Sequence, residues 1–285
     1  MSARIWSIRD VLDWAAKDFS ARGIDSPRLD AELLVANALG MDRIGLYLDL
    51  TRPLEEEERR AIRLLLSRRR AREPVAYILG YRDFYGRRFE VTPDVLIPRP
   101  DTETLVEHAL QQIPLDASCR VLDVGTGSGA IAVTLAAERP GARIIGTDIS
   151  EAALRVAARN ADLHRVSDRV DFELVDLLRP NETYELVVSN PPYIASADME
   201  ALQDEVRLYE PTSALQAGED GLDVVRELLH RAKAATLAGG HLMIEVGQGQ
   251  AAAVVELAVR VGGWHREGVY LDLNRVERVV HLRRI

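Results

Sequence analysis

The chain has 285 residues, of which 47% are hydrophobic and 28% charged. That is a globular composition, long enough for roughly two domains of ~100–200 residues. With 36 basic and 45 acidic residues the net charge is −9, and Cys119 is the single cysteine. These values exclude a disordered chain, a fibrous repeat, a disulfide framework and a multi-cysteine zinc site.

No stretch approaches the ~18 consecutive apolar residues of a membrane span. The start, Met1-Ser2-Ala3-Arg4-Ile5-Trp6, lacks the apolar core of a signal peptide, so the expected location is the cytoplasm. Charge is unevenly placed. Residues 1–80 hold 14 basic and 13 acidic side chains, which leaves 22 against 32 for residues 81–285. An acidic body argues against extended contact with duplex nucleic acid.

Residues 1–80 read as helical. Ser7 with Asp10 three positions later forms a start signal before Val11-Leu12-Asp13-Trp14-Ala15. Ser26-Pro27 opens a second helix that runs to Gly40. A third spans about Glu55–Arg72, acidic at its start and basic at its end, as the helix dipole favours. Its arginine run (Arg59, Arg60, Arg63, Arg68, Arg69, Arg70, Arg72) reads first as a solvated face with local ion pairs and second as a docking face for an acidic or RNA-like partner.

From Tyr77 to Pro100 the pattern shifts to short strands and turns, with a hairpin expected over Phe84–Val91. Ile97-Pro98-Arg99-Pro100-Asp101-Thr102-Glu103 then forms a rigid loop before a helix, and Asp101 or Thr102 is available to cap that helix. The expected division is a helical domain over 1–76, a hairpin linker over 77–100 and a second domain over 101–285.

Beyond residue 119 strands and helices alternate, the pattern of an α/β, Rossmann-like fold whose mostly parallel sheet is covered on both faces. Strands are expected near 119–125, 142–148, 170–176, 185–190 and 241–247, with a closing hairpin of Val269–Asp272 and Arg278–Leu282.

Two strand ends carry the chemistry. Cys119–Val124 runs into Gly125-Thr126-Gly127-Ser128-Gly129 and then into a helix, and the next strand ends in Asp148. Glycines permit a tight turn that a ligand can approach, and an acid at that strand end can accept hydrogen bonds from both ribose hydroxyls. The site fits an adenosine cofactor without naming it, and a nicotinamide or flavin enzyme stays open there.

The fourth strand, Glu185–Ser189, ends in Asn190-Pro191-Pro192-Tyr193. The prolines have no N–H and a fixed φ, so nearby carbonyls point rigidly outward. Asn190 Oδ1 and one backbone carbonyl could hold a planar substrate NH2 group, with the Tyr193 ring stacked against it. Such a clamp aims nitrogen at an electrophilic carbon and stabilises the charge that builds there. The methyl group of S-adenosylmethionine suits that chemistry and a nicotinamide does not. No metal site is expected, because His108, His164, His230, His241, His265 and His281 lack ligand spacing.

These motifs resemble the HemK/PrmC family, N5-glutamine methyltransferases that modify peptide chain release factors. The resemblance rests on Ile97–Glu103, Asp123–Gly129, Asn190–Ile194, Tyr209-Glu210-Pro211, Ala214-Leu215 and Asp220-Gly221-Leu222. It implies a small helical domain joined by a β-hairpin to a seven-stranded S-adenosylmethionine-dependent methyltransferase domain.

Carried over by position, Gly125–Gly129 and Asp148 would hold S-adenosyl-L-methionine, with Leu177 after Asp176 flanking its adenine. Asn190, Pro191, Pro192 and Tyr193 would clamp the glutamine amide, Asn190 bordering the cofactor as well. The Pro98–Glu103 loop, with Arg99 and Thr102, would close over the substrate. The implied partners are class I release factors, acting through their Gly-Gly-Gln loop. Neither a membrane nor a sequence-specific nucleic acid is implied, and a monomer suffices.

One departure stands out: Asp272-Leu273-Asn274-Arg275 replaces a Gly-Arg pair that often follows Asp-Leu in the family. Competing readings are methylation of a ribosomal-protein glutamine, adenine-N6 methylation of nucleic acid, and a non-catalytic cofactor-holding module.

Overall fold

A computed structural model describes residues 6–115, 118–179 and 181–285. In chain order the elements begin with α1 (Ile8–Ala21), α2 (Pro27–Leu39), α3 (Arg43–Leu48), α4 (Glu56–Arg70) and α5 (Val75–Leu79). A hairpin of β1 (Tyr81–Phe84) and β2 (Arg87–Glu90) follows, then α6 (Glu103–Gln112) and β3 (Arg120–Val124). Next come α7 (Ala130–Glu138), β4 (Arg143–Asp148), α8 (Glu151–Leu163), β5 (Val170–Leu174) and β6 (Tyr184–Ser189). The chain ends with α9 (Asp204–Tyr209), α10 (Asp223–Ala235), β7 (Thr236–Glu245), α11 (Ala251–Val261), β8 (Trp264–Leu271) and β9 (Glu277–Arg284).

Two compact units result: residues 1–80 with 203–209, and residues 81–202 with 210–285. In the first, local start and stop signals act as read from the sequence. Ser7 and Asp10 make reciprocal side-chain to backbone bonds, Pro27 sits in the first turn of α2, and Gly40 ends α2 at φ +64°. Leu12, Phe19, Leu34, Leu46, Ile62 and Leu66 bury a common core. The Pro74–Gly80 stretch, expected to leave the helical pattern near Tyr77, still holds the short helix α5.

The arginines at the end of α4 are ion-paired. Arg68 binds Glu73, Arg70 binds Asp18, and Arg69 and Arg72 both bind Glu205. Ion pairing accounts for these four, but Arg69 is buried and reaches Asp30 and Glu205 far along the chain, where local pairs on a solvated face were expected. Helix α9 belongs to this unit because Glu205 supplies those bonds and Tyr209 donates its hydroxyl to the Ala71 carbonyl.

The second unit is a seven-stranded sheet in the order β5-β4-β3-β6-β7-β9-β8, parallel except for β9, which runs antiparallel to both of its neighbours. β3, β4 and β6 are almost continuously apolar because both faces are covered. The hairpin clusters here rather than standing as a separate linker. Phe84 and Phe89 are buried in the core formed with α6 and α7, while α10 and α11 close the other face. It starts at Tyr81, earlier than the expected Phe84, and turns at Tyr85-Gly86.

Two other boundaries move. β7 begins at Thr236, which pairs with Tyr184 of β6, and the closing hairpin reaches back to Trp264, which pairs with Arg284 of β9. No helix among the described residues is long and apolar enough to cross a membrane.

The strand order reverses between β3 and β6, where Val124 pairs with Ser189. A crevice opens at the carboxyl ends of strands at such a switch point. Gly125 and Asn190, each one residue past that pair, are therefore brought side by side.

Candidate functional site

The glycine-rich turn is wound tightly. Gly125, Gly127 and Gly129 take φ of +72°, +55° and +78°, and the N–H groups of Gly125 and Thr126 both donate to the Thr147 carbonyl at 2.9 Å. Beneath it Asp123 is fully buried, its Oδ2 accepting from the Thr126 hydroxyl at 2.7 Å and the Ala132 N–H at 3.1 Å. Burial pushes that carboxyl up to about 7.

The turn residues divide by task. Thr126 points inward to Asp123, the Ser128 carbonyl accepts from Asn160 Nδ2 at 2.9 Å, and a Cβ on Gly129 would lie 3.1 Å from Ala157 Cβ. These three build the turn and pack it on α8, whereas Gly125 and Gly127 line the cleft.

Asp148 ends β4 and accepts from the Gly127 N–H through Oδ2 and from the Ser150 N–H through Oδ1, both at 2.9 Å. Each oxygen keeps lone-pair capacity toward the cleft. Ile149, exposed at the rim, and Leu177, at φ +62° beyond the end of β5, give the cleft apolar walls, and Asp176 lies beside them. Glycine backbone, a carboxylate at diol position and apolar walls are a donor set that fits an adenosine-type cofactor. Ile149 was not singled out in the sequence, although an exposed isoleucine directly after the strand-end acid is a usable signal.

The same cleft continues to Asn190, Pro191 and Pro192. Asn190 Nδ2 donates to the Thr102 hydroxyl oxygen at 3.2 Å. Thr102 was expected to be available to cap α6; it occupies that position but makes no capping bond, and its hydroxyl serves Asn190 instead.

Tyr193 follows, its carbonyl accepting from Gln250 Nε2 at 3.0 Å while Gln250 Oε1 holds the Gly247 N–H at 2.9 Å. Burial raises the Tyr193 phenol. Ile194 is tied to the next loop through bonds with Leu215 and Ala217. Gly221 approaches so closely that a Cβ would sit 2.3 Å from the Tyr193 carbonyl oxygen.

Several residues around the proline loop escaped the sequence reading of the site. Glu210 is buried and accepts from both the Arg99 guanidinium and the Ile97 N–H, so Arg99 reaches the site already paired. Arg278 bridges Asp101, at 3.2 Å, to Asp272, at 3.1 Å. Asp272 also accepts the Asn274 and Val276 N–H groups, which builds the atypical turn without a glycine. Glu245, at the end of β7, is 1% exposed, faces the Thr102 hydroxyl, and is pushed up to about 7 by burial. Nothing local in the chain marks these contacts.

Cys119 is buried with its thiol raised by burial, which is the behaviour of a core residue. Among the described residues no cluster could hold a metal ion.

Comparison with known proteins places this geometry in context. Residues 10–80 match the model of the PrmC N-terminal domain, and residues 100–209 that of the methyltransferase small domain. The chain is 48% identical over 260 residues to the release factor glutamine methyltransferase of Geobacter sulfurreducens, covering 90% of each chain. It is 40% identical to that of Rhodopirellula baltica, covering 98% of this chain and 97% of the relative. The corresponding protein of Cereibacter sphaeroides is 46% identical, with 96% and 97% covered.

Among solved structures, a methyltransferase from Pyrococcus furiosus aligns at a TM-score of 0.52 and 15% identity, covering 79% of this chain and 98% of that one. The Thermus thermophilus 16S rRNA N2 G1207 methyltransferase aligns at 0.52 and 17%, covering 72% and 50%. At such identities these two speak for the fold alone.

Proposed function

We propose that this chain, which belongs to the release factor glutamine methyltransferase family, methylates the side-chain amide nitrogen (N5) of the glutamine in the Gly-Gly-Gln motif of class I peptide chain release factors. The methyl donor is S-adenosyl-L-methionine, whose sulfonium supplies an electrophilic methyl group when bound. Gly125, Gly127 and Asp148 would hold that cofactor, with Asp176, Leu177 and Ile149 along its adenosine end.

One observation carries the reading of the clamp. Asn190 turns its Nδ2 toward Thr102, which leaves Oδ1 as the free end of the amide in the cleft that also contains Gly125 and Asp148. A substrate amide offers two N–H donors, and acceptors are what this end of the sheet presents. Pro191 and Pro192 cannot donate.

An amide nitrogen is a poor nucleophile because its lone pair is shared with the carbonyl. Asn190 Oδ1 and a neighbouring backbone carbonyl would hold both hydrogens, fix the nitrogen's direction and stabilise the positive charge that builds on it. Tyr193, whose backbone carbonyl is held by Gln250 and crowded by Gly221, would stack its ring on the amide plane. The Arg99–Thr102 loop would bound the substrate side, tied by Glu210 and Arg278. A monomer acting in the cytoplasm satisfies this reading.

The test offers the protein radiolabelled S-adenosylmethionine with a release factor, the same factor carrying Gly-Gly-Ala, and duplex DNA. Label on the intact factor alone is expected. Label on the Gly-Gly-Ala variant would move the target residue, and label on DNA would replace the reading with adenine methylation. With no label on any acceptor, a ribosomal-protein glutamine becomes the next substrate to offer.

A further inference from the structure

Glu245 is the last residue of β7, one position past Ile244, which pairs with Ser189 of β6. It therefore lies level with Asn190 across the sheet. The residue is 1% exposed, its Oε2 has no hydrogen-bond partner, and the Thr102 hydroxyl faces it. Burying a carboxyl with one oxygen unpaired costs stability. The arginines that face it are already engaged, Arg99 with Glu210 and Arg278 with Asp101 and Asp272. A role in ion pairing does not account for it.

Proton counting supplies one. A hydroxyl has a single proton, and an ionised carboxylate only accepts. When Thr102 donates to Glu245, its oxygen can only accept from Asn190, which must then present Nδ2 to Thr102 and Oδ1 to the cleft. Without the carboxylate, Thr102 is free to donate to Oδ1. The Asn190 amide would then turn over and oppose an incoming NH2 group with its own.

We propose that Glu245 is a positioning residue for methyl transfer, setting through the Thr102 hydroxyl which end of the Asn190 amide faces the substrate. This rests on the reading of Asn190 as the clamp. It also gives activity a pH dependence, because burial places the Glu245 carboxyl at about 7. Once protonated, the carboxyl can donate to Thr102 and release the hydroxyl proton toward Oδ1. The charged and titratable groups facing Glu245 are Asp101 and Arg99 on the proline loop, Arg278 on β9 and Tyr193 after β6.

The experiment measures kcat on a release factor, and S-adenosylmethionine affinity, for wild type, Glu245→Gln, Thr102→Val, Thr102→Ser, the Glu245→Gln/Thr102→Val double variant and Asn190→Ala, from about pH 6 to about pH 9. Asn190→Ala should lose ~100-fold or more at every pH. At the alkaline end Glu245→Gln and Thr102→Val should each lose about tenfold in kcat with cofactor affinity within about twofold, and the double variant should lose no more than Thr102→Val alone. Thr102→Ser should recover wild-type kcat. Wild-type activity should rise with a midpoint near 7, and Glu245→Gln should abolish that rise.

A Glu245→Gln enzyme with wild-type kcat and an intact rise, alongside inactive Asn190→Ala, overturns the proposal and leaves the clamp standing. Equal losses of cofactor affinity and kcat in Glu245→Gln would make the residue structural and overturn it as well. An active Asn190→Ala overturns the clamp itself, and the positioning role falls with it.

Discussion

Asp148 Oδ2 accepts the backbone N–H of Gly127 at 2.9 Å, so the acid at the end of β4 and the glycine turn after β3 form one rigid unit. The carboxylate shapes the turn, and in the proposed reading it would also offer acceptors to a ribose diol. Asp148→Ala removes both, and charged hydrogen bonds contribute about 1.5–3 kcal/mol each. S-adenosylmethionine should bind roughly 10–100-fold more weakly by titration calorimetry. Asp148→Asn retains one acceptor oxygen and should fall between. Unchanged affinity in Asp148→Ala would remove the diol role.

Gly221 shows how a loop far along the chain fixes the backbone at Tyr193. At φ +74°, with a would-be Cβ 2.3 Å from the Tyr193 carbonyl oxygen, it admits no side chain. Gly221→Ala should cost about 1–3 kcal/mol for the forced displacement, with a further ~1 kcal/mol or more for the left-handed backbone. Methyl transfer should drop sharply while cofactor affinity holds. Gly239→Ala, at φ +79° with open space around it, is the control that carries the backbone strain alone. Equal effects on kcat from both variants would show that the contact with Tyr193 is irrelevant.

The parts of the site that could be read from the chain are those encoded in contiguous stretches. Strand, glycine turn, helix and acid follow in order from Arg120 to Asp148, and Asn190–Tyr193 is a single motif at a strand end. The groups that hold those pieces come from elsewhere. Thr102 meets Asn190 across 88 positions of sequence, Arg99 meets Glu210 across 111, and Arg69 meets Glu205 across 136. No periodicity or spacing reports such pairings. The sequence does place a proline-bounded loop before α6, but it does not say that the Thr102 hydroxyl leaves the helix end to serve Asn190.

Arg69 anchors the first unit. Its side chain is 6% exposed; Nε donates to Asp30 at 2.7 Å, Nη2 to Glu205 at 2.7 Å and Nη1 to the Glu73 carbonyl at 3.1 Å. Burial already raises the Asp30 carboxyl, and only the guanidinium opposes that. Arg69→Ala leaves the buried Asp30 unpaired and Glu205 with Arg72 alone, and should cost about 3–5 kcal/mol in chemical denaturation. Arg69→Lys should recover little of this, since an ammonium cannot reproduce the fork. A loss below about 1 kcal/mol would reduce the cluster to an ordinary surface network.

His281 makes stability fall in acid. It is buried, with Tyr270 O–H at 2.9 Å from Nδ1 and His241 Nδ1 at 2.9 Å from Nε2. Burial first, then the neighbouring His241, push its imidazole down to about 4 from an ordinary 6.5, while His108 adds to the effect and Glu267 opposes it. Between those two values the unfolded chain binds a proton that the folded chain refuses, so folding weakens as the pH drops below 6.5. Asp123 and Glu245, each pushed up to about 7, act with the opposite sign: the folded state holds their protons and loses stability as the pH rises through 7. The raw stability curve mixes these contributions, but the difference between wild type and His281→Gln isolates one. Relative to the variant, wild type should lose about 1–2 kcal/mol between about pH 7 and about pH 5 in urea denaturation. A flat difference would mean that His281 is already able to protonate in the folded chain.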